Sequence, residues 1–242
     1  MTTVHASPTY QMTIGEPPPA GYPMERVDDV YVDAPDRSSF ETRRRVFLDH
    51  CLLNPAPNNT KTIYYELARV TAGGVAHEGA IAASLDYIDA RKDCSDFVLH
   101  GVLRMLYQFG EHRSEVGGQR SEVSDEILQR GRETVLGFKY WPDEPGVDSL
   151  CTWTENHYIL FSSAACLAGQ MYAHEIFGNT GQTGQEKMAL NRPRILRWLD
   201  LRFHTGFSEW LSHVYYDEDL TALISLIDFC EDEEIVAKAT MV

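Results

Sequence analysis

One stretch, Cys151-Thr-Trp-Thr-Glu-Asn-His-Tyr-Ile-Leu-Phe-Ser-Ser-Ala-Ala-Cys-Leu-Ala-Gly169, carries the clearest fold signal in the chain. Thr152 and Glu155 have the S/T-x-x-E spacing of a capping box, which predicts a helix beginning at Trp153. Capping is therefore the leading interpretation of Glu155. Beyond His157 the helix is lined with small residues that permit close packing among inner helices: Ser162, Ser163, Ala164, Ala165, Ala168 and Gly169.

Helical periodicity continues on both sides of this stretch. Apolar residues recur at i, i+3 and i+4 after Ser95, and Asp36 opens an earlier helical segment. Further helices are predicted near residues 60–69, 78–91, 121–136, 185–203, 213–230 and 232–242. Strand-like alternation is scarcely present. We therefore predict an all-α fold of antiparallel helical hairpins, arranged as a bundle, a solenoid or an α/α toroid. The lack of a fixed-period repeat disfavours the solenoid.

The two ends of the chain differ in character. Residues 1–35 are rich in proline and glycine, as in Glu16-Pro-Pro-Pro19, and are predicted to form an extended arm before a helical domain at 36–242. At the other end, the helical spacing that starts at Ile235 runs to Val242 without a stop signal. We therefore expect a piece of a longer protein, and an incomplete toroid, because a closed six-hairpin ring needs about twelve helices.

Composition excludes several functional classes. The 242 residues include 36 acidic and 21 basic side chains, for a net charge of −15. This balance argues against nucleic acid and against an anionic lipid surface as partners. No stretch approaches the ~20 apolar residues of a membrane span. Because the N-terminus carries no visible secretory signal and the five cysteines are dispersed, we predict a cytoplasmic protein without a membrane partner.

Two stretches hold the candidate site residues. Asn156 and His157 lie in the first turns of the predicted helix, where an asparagine invites explanation because it is a poor helix-interior residue. The alternative is a polar pair that closes the helix end. The second stretch is His204-Thr-Gly-Phe-Ser-Glu-Trp-Leu-Ser-His-Val-Tyr-Tyr-Asp-Glu-Asp219. Adjacent Tyr215 and Tyr216 face different directions on a helix, so only one is expected to reach a shared site.

Metal and cofactor sites have little support in the sequence. Glu209, His213 and Asp217 have the i, i+4 spacing that a divalent metal can use. No dense His/Cys cluster accompanies them, so a hydrogen-bonded loop anchor is preferred, and we predict neither a metal nor a cofactor. The glycine-rich segment from Asn179 to Gly184 lacks the lysine of a phosphate-binding loop and is interpreted as an inter-helix loop.

Residues 141–228 resemble the α/α-toroid polysaccharide lyases of the heparinase and alginate-lyase types. In those families an Asn-His pair begins an inner helix, as in Glu155-Asn-His157 here. Heparinase-type sequences then carry a glycine, a glutamate, a serine and a tyrosine before the next apolar helix. The same order occurs here in Gly206, Glu209, Ser212 and Tyr215 or Tyr216. This chain has Thr205 where the family has aspartate, and a Tyr-Tyr pair in place of Tyr-His.

The resemblance implies β-elimination at a uronic acid of a carbohydrate substrate. Asn156 would neutralise the uronate carboxylate, and His157 would act as base or charge neutraliser. Tyr215 or Tyr216 would move the protons, and Glu209 would orient a neighbour. The substrate contacts are assigned to Glu155, Trp153, Trp210, His213 and Arg202.

Two other functions remain open at this point. A glycoside hydrolase on the same toroid would use Glu155 and Glu209, separated by roughly 5–5.5 Å or 6.5–9.5 Å. A non-catalytic helical scaffold or binding domain would use the same polar groups to close helix ends. Tryptophans 153, 198 and 210 suit sugar stacking, although aromatic side chains of helical proteins lie more often in the core. The charge of −15 weighs against a broad surface for polyanions.

Overall fold

The computed structural model describes residues 39–110 and 123–242, and over these residues the chain forms nine α-helices. They are α1 (Phe40–Leu53), α2 (Thr62–Thr71), α3 (Glu78–Asp89), α4 (Ser95–Phe109), α5 (Asp125–Gly137), α6 (Glu155–Met171), α7 (Gly184–Thr205), α8 (Tyr215–Phe229) and α9 (Glu233–Met241). The only β pairing in these ranges is an isolated bridge between Ile176 and Thr183. The prediction of an all-α fold is therefore confirmed. The predicted arm at 1–35 lies outside the described residues.

Helices alternate between two layers within residues 41–242. The inner helices contact one another as α2–α4, α4–α6, α6–α8 and α4–α8. The outer helices pack on them and on each other, as α3 does with α5 and α7 with α9. Most of the core comes from α4 and α6, with fully buried side chains such as Leu99, Val102, Ile159 and Leu167. A helix that buries nearly its whole circumference, as α6 does, belongs to the inner layer of a helical protein.

The small residues of α6 allow the close approach that the sequence predicts. A Cβ atom built on Gly169 would lie 2.5 Å from the carbonyl oxygen of Gly184 at the start of α7. A Cβ atom built on Gly184 would be equally crowded, because it would overlap the carbonyl groups of Tyr172 and Gly169. Helices α6 and α7 therefore cross with their backbones in contact.

The predicted start of α6 is wrong. The helix begins at Glu155 rather than Trp153, and Thr154 occupies the N-cap position without a side-chain capping bond. The carboxylate of Glu155 accepts instead the backbone N–H groups of Ser208 at 2.9 Å and Glu209 at 3.0 Å. The Thr152–Glu155 capping box does not form because the segment after α7 supplies these donors.

Membrane crossing finds no support in the described helices, since none combines the necessary length and apolar character.

Candidate functional site

The N-terminal end of α6 gathers several of the predicted site residues. The carboxylate of Glu155 forms an ion pair with Arg202 of α7, and the two side chains are only 8% and 11% exposed. The Nε1 atom of Trp198 donates to the carbonyl oxygen of Glu155 at 2.9 Å. Both oxygens of this carboxylate also bind the backbone of the 208–209 segment. Glu155 and Arg202 therefore anchor a loop, and the buried Trp198 belongs to the core.

His157 forms a buried pair with a residue that the sequence analysis missed. Its Nδ1 atom lies 2.6 Å from Oδ2 of Asp96, which is the second residue of α4. The Phe97 ring stacks on the imidazole with the ring centroids 5.0 Å apart. Burial lowers the pKa of His157, but the hydrogen bond and the charge of Asp96 outweigh it and raise the pKa. No signal in the sequence links residues 96 and 157.

Asn156 is fully buried beside this pair. Its Oδ1 atom accepts the Thr154 hydroxyl and the backbone N–H of His157, each at 2.6 Å. Its Nδ2 atom has no hydrogen-bond partner among the residues that the structure describes. A buried amide donor without a partner costs free energy of about 1–3 kcal/mol, so this group calls for an explanation.

A second group of carboxylates lies around the start of α8. Asp219 is fully buried, and burial raises its pKa from 3.8 to about 7, while the nearby charge of Glu209 raises it further and Arg202 lowers it. Within the described ranges, neither oxygen of Asp219 nor Oε2 of Glu209 has a hydrogen-bond partner. Glu218, the preceding residue, pairs with Lys61 at 2.6 Å. A carboxyl group that titrates near neutral pH can serve as a general acid or base.

The two adjacent tyrosines have different environments. The hydroxyl of Tyr216 accepts the backbone N–H of Leu211 at 2.9 Å, and its ring lies 5.1 Å from that of Phe207. Phe207 packs in turn on Trp198, with 6.0 Å between the ring centroids. Tyr216 is thus joined to the Glu155 anchor, whereas Tyr215 is 39% exposed.

The remaining predicted residues lie on the surface of the same region. His213 is exposed and precedes α8, which begins at Tyr215, so no helix face joins Glu209 to His213. Trp153 and Trp210 are 83% and 71% exposed. Both indole rings are therefore accessible to a planar ligand.

An open cleft of about 470 Å³ lies between the 56–62 segment and helix α3. Its polar lining consists of amides and hydroxyls, from Asn58, Asn59, Thr60, Thr62 and Ser84, and it includes the ring of Tyr87. The hydroxyl of Tyr87 donates to the carbonyl oxygen of Asp93 at 2.6 Å, so the cleft adjoins the loop before α4. This surface was not predicted from the sequence.

That loop and the first turn of α6 together carry a group of potential metal ligands. Carboxylate, thiol and imidazole atoms of Asp93, Cys94 and His157 all lie within 4.8 Å of one another. Burial raises the pKa of Cys94 to about 12, and the charges of Asp93 and Asp96 act in the same direction. Without a bound metal, a thiol in this environment stays protonated at neutral pH, which argues against a cysteine nucleophile activated by His157.

Comparisons with known proteins leave the fold and the site as the only guides to function. No protein-family model matches the chain, and no curated protein or solved structure is significantly similar to it. The class is thus an all-α protein with a cluster of buried polar side chains at the start of α6.

Proposed function

We propose that this polar cluster is the active site of a carbohydrate-active enzyme that cleaves a uronic-acid-containing glycan by β-elimination. One observation carries the proposal, namely the buried amide nitrogen of Asn156, which has no hydrogen-bond partner within residues 39–110 and 123–242 and lies next to the His157–Asp96 pair. An amide donor beside an imidazole whose pKa is raised by Asp96 suits a carboxylate, because both groups can stabilise negative charge.

We further propose that the helices belong to an incomplete α/α toroid. The alternation of inner and outer helices supports this arrangement, since successive helical hairpins in a toroid place one helix in each layer.

Neutralising the carboxylate would acidify the proton on C5 of the uronic acid. A base removes that proton, the C4–O bond breaks, a C4–C5 double bond forms, and the leaving oxygen takes up a proton. Tyr216 is our candidate for the proton transfers because its ring contacts tie it to the Glu155 anchor. Because Asn156 is fully buried, a sugar can reach it only if a segment opens, and the 206–214 loop, which is hydrogen-bonded to the adjacent Glu155, is our candidate.

Two features support carbohydrate binding. The rings of Trp153 and Trp210 are mostly exposed, and such rings can stack on a pyranose. The amides and hydroxyls of the 470 Å³ cleft are neutral donors and acceptors that match sugar hydroxyls.

Glycoside hydrolysis is a second candidate, favoured by Asp219. A carboxyl group with a pKa of about 7 next to a second carboxylate fits a general acid paired with a base or nucleophile. Asp219 and Glu209 would form that pair. Glu155 is less suitable, because its carboxylate is occupied by Arg202 and two backbone N–H groups.

One assay separates these candidates. The purified chain is incubated with uronate polymers and with neutral glycans, and both ultraviolet absorbance of unsaturated ends and new reducing ends are measured. We expect unsaturated product from a uronate polymer, lowered at least about 100-fold in Asn156→Ala and in Tyr216→Phe. The exposed His174→Ala serves as the control that keeps full activity.

The other outcomes point away from β-elimination. Reducing ends without ultraviolet absorbance, lost in Asp219→Asn and Glu209→Gln, would establish the hydrolase instead. Absence of cleavage and of glycan binding across the panel would leave the non-catalytic scaffold.

A further inference from the structure

We propose that Asp93, Cys94 and His157 form a zinc-binding site. Their ligand atoms come from the loop before α4 and from the first turn of α6, and all lie within 4.8 Å of one another. The site would therefore link two inner helices. No metal was predicted from the sequence, because His157 lies more than sixty positions after the adjacent Asp93 and Cys94, and the three residues form no recognisable spacing motif.

The donor set matches zinc better than other divalent metals. A thiolate, an imidazole and a carboxylate are the side chains that bind Zn²⁺, at about 2.3 Å for sulfur and about 2.0–2.2 Å for nitrogen and oxygen. Ca²⁺ and Mg²⁺ prefer oxygen ligands alone, so Cys94 and His157 select against them. Tetrahedral ligands at these bond lengths lie about 3.3–3.8 Å apart, so a modest contraction of the group completes the geometry.

The surrounding hydrogen bonds orient two of the three ligands. Asp96 binds Nδ1 of His157 at 2.6 Å, which leaves Nε2 as the nitrogen that can coordinate a metal. A carboxylate behind a coordinating histidine fixes its tautomer and strengthens it as a ligand. Oδ1 of Asp93 accepts the backbone N–H groups of Cys94 at 3.1 Å and Cys151 at 3.0 Å. Oδ2 is therefore the Asp93 atom available to the metal.

Charge and accessibility also favour a cation. The Asp93 carboxylate belongs to the ligand group and the Asp96 carboxylate lies 2.6 Å from Nδ1 of His157, and carboxylates attract a cation. Asp93 is exposed and Cys94 is half-buried, which gives an ion a route from solvent. Cys94 has a left-handed backbone with φ of 62°, a conformation that costs free energy in a residue with a side chain.

Three protein ligands leave a fourth position for water or a substrate oxygen, as in catalytic zinc sites. If the proposed function also holds, zinc would place positive charge beside Asn156, where the uronate carboxylate is expected. That role rests on the proposed function, whereas zinc binding itself does not.

Metal binding is tested without any activity assay. The chelator-stripped chain is dialysed against zinc, and the metal content per chain is measured by elemental analysis. We expect one zinc per chain and, with cobalt as a substitute, a thiolate-to-cobalt charge-transfer band. Cys94→Ser abolishes that band and lowers zinc affinity at least about 100-fold, and Asp96→Asn lowers it about 10–100-fold.

Two other cysteines provide matched controls. Cys230→Ser removes a thiol on a different helix end, and Cys151→Ser removes one that lies outside the ligand group, so both variants keep one zinc. The proposal is overturned if the unaltered chain binds no zinc, or if Cys94→Ser, with unchanged helical circular dichroism, binds it as tightly. A loss in Cys151→Ser equal to that in Cys94→Ser would overturn the three-residue assignment. Zinc binding by a chain that cleaves no glycan would reject the proposed function alone.

Discussion

Glu155 and Arg202 form a nearly buried ion pair that connects the first residue of α6 with the last turn of α7. The same carboxylate accepts the backbone N–H groups of Ser208 and Glu209. The Glu155 side chain thus holds together the inner helix α6, the outer helix α7 and the loop that leads to α8. The conformation of this loop, which carries Trp210, depends on that carboxylate.

Glu155→Gln is expected to destabilise the fold and to release this loop. The change leaves Arg202 without its charged partner at a nearly buried position, which costs about 3 kcal/mol. Urea unfolding measures the loss, and hydrogen exchange of residues 206–214 reports loop release. Arg192→Gln breaks an exposed ion pair with Asp232 and serves as the control with an unchanged midpoint. Unaltered exchange in the loop of Glu155→Gln would contradict the anchoring role.

Asp219 is expected to make the fold less stable as the pH rises. Its pKa is about 7 in the folded chain, against an ordinary value of 3.8, so the folded state binds a proton that the unfolded state releases. The unfolding free energy therefore falls between about pH 4 and pH 7, and Asp219→Asn removes this fall. Thermal unfolding at several pH values compares the two chains. The melting temperature of the variant, relative to that of the parent chain, should rise as the pH increases.

Glu209→Gln provides the matched test of the cause. Its negative charge raises the pKa of Asp219, so in the neutral variant the fall in stability should end at a lower pH and be smaller. An identical pH profile in the parent chain and in Asp219→Asn would show that Asp219 ionises normally.

The helical elements could be predicted because they depend on local signals. Ser124 precedes α5, and its side chain accepts the backbone N–H of Ile127, as expected for a helix start after serine. The prediction failed at Thr152, which begins a similar capping pattern. There the glutamate of the pattern, Glu155, accepts the backbone N–H groups of the distant Ser208 and Glu209 instead. The same motif does form at Thr183, which the sequence analysis treated only as part of a loop.

The candidate site could be predicted only in part, for a related reason. Asn156 and His157 drew notice because polar residues are unusual at the start of an apolar helix. Their partner Asp96 looked like an ordinary first-turn acid of α4, and Asp219 looked like one of several acids near the start of α8. Burial distinguishes these two carboxylates, and burial is set by the packing of inner helices rather than by neighbouring residues.

His100 is expected to destabilise the fold in acid. The side chain is fully buried, its Nε2 lies 3.0 Å from the Leu160 carbonyl oxygen, and burial lowers its pKa to about 4. Below about pH 6.5 the unfolded chain binds a proton that the folded chain does not, so stability falls toward pH 4 by up to about 1.4 kcal/mol per pH unit. His100→Gln removes this component, and the exposed His174→Gln does not. Equal acid slopes in denaturant unfolding would refute the assignment.

Gly184→Ala is expected to disrupt the contact between α6 and α7. The added methyl group would overlap the carbonyl groups of Tyr172 and Gly169, so the helices must separate at a cost of about 2 kcal/mol or more. Gly79→Ala is the control, because nothing lies within 4 Å of its added Cβ, and it should stabilise α3 by up to about 1 kcal/mol. Opposite shifts in melting temperature are the expected result, and equal shifts would contradict the close approach.

Trp153→Ala and Trp210→Ala are expected to separate binding from stability. Both rings are mostly exposed, so their removal should leave the melting temperature unchanged. If they stack on sugar rings, each loss weakens glycan affinity by about 5- to 10-fold, in line with the roughly 1 kcal/mol of an aromatic contact. Fluorescence quenching and calorimetric titration with uronate oligosaccharides measure this effect.

Trp198→Phe tests the opposite case. The Trp198 ring is buried and its Nε1 donates to the carbonyl oxygen of Glu155, so the stability of this variant should fall. Unchanged affinity in the double Trp153→Ala, Trp210→Ala variant would exclude these rings from glycan binding.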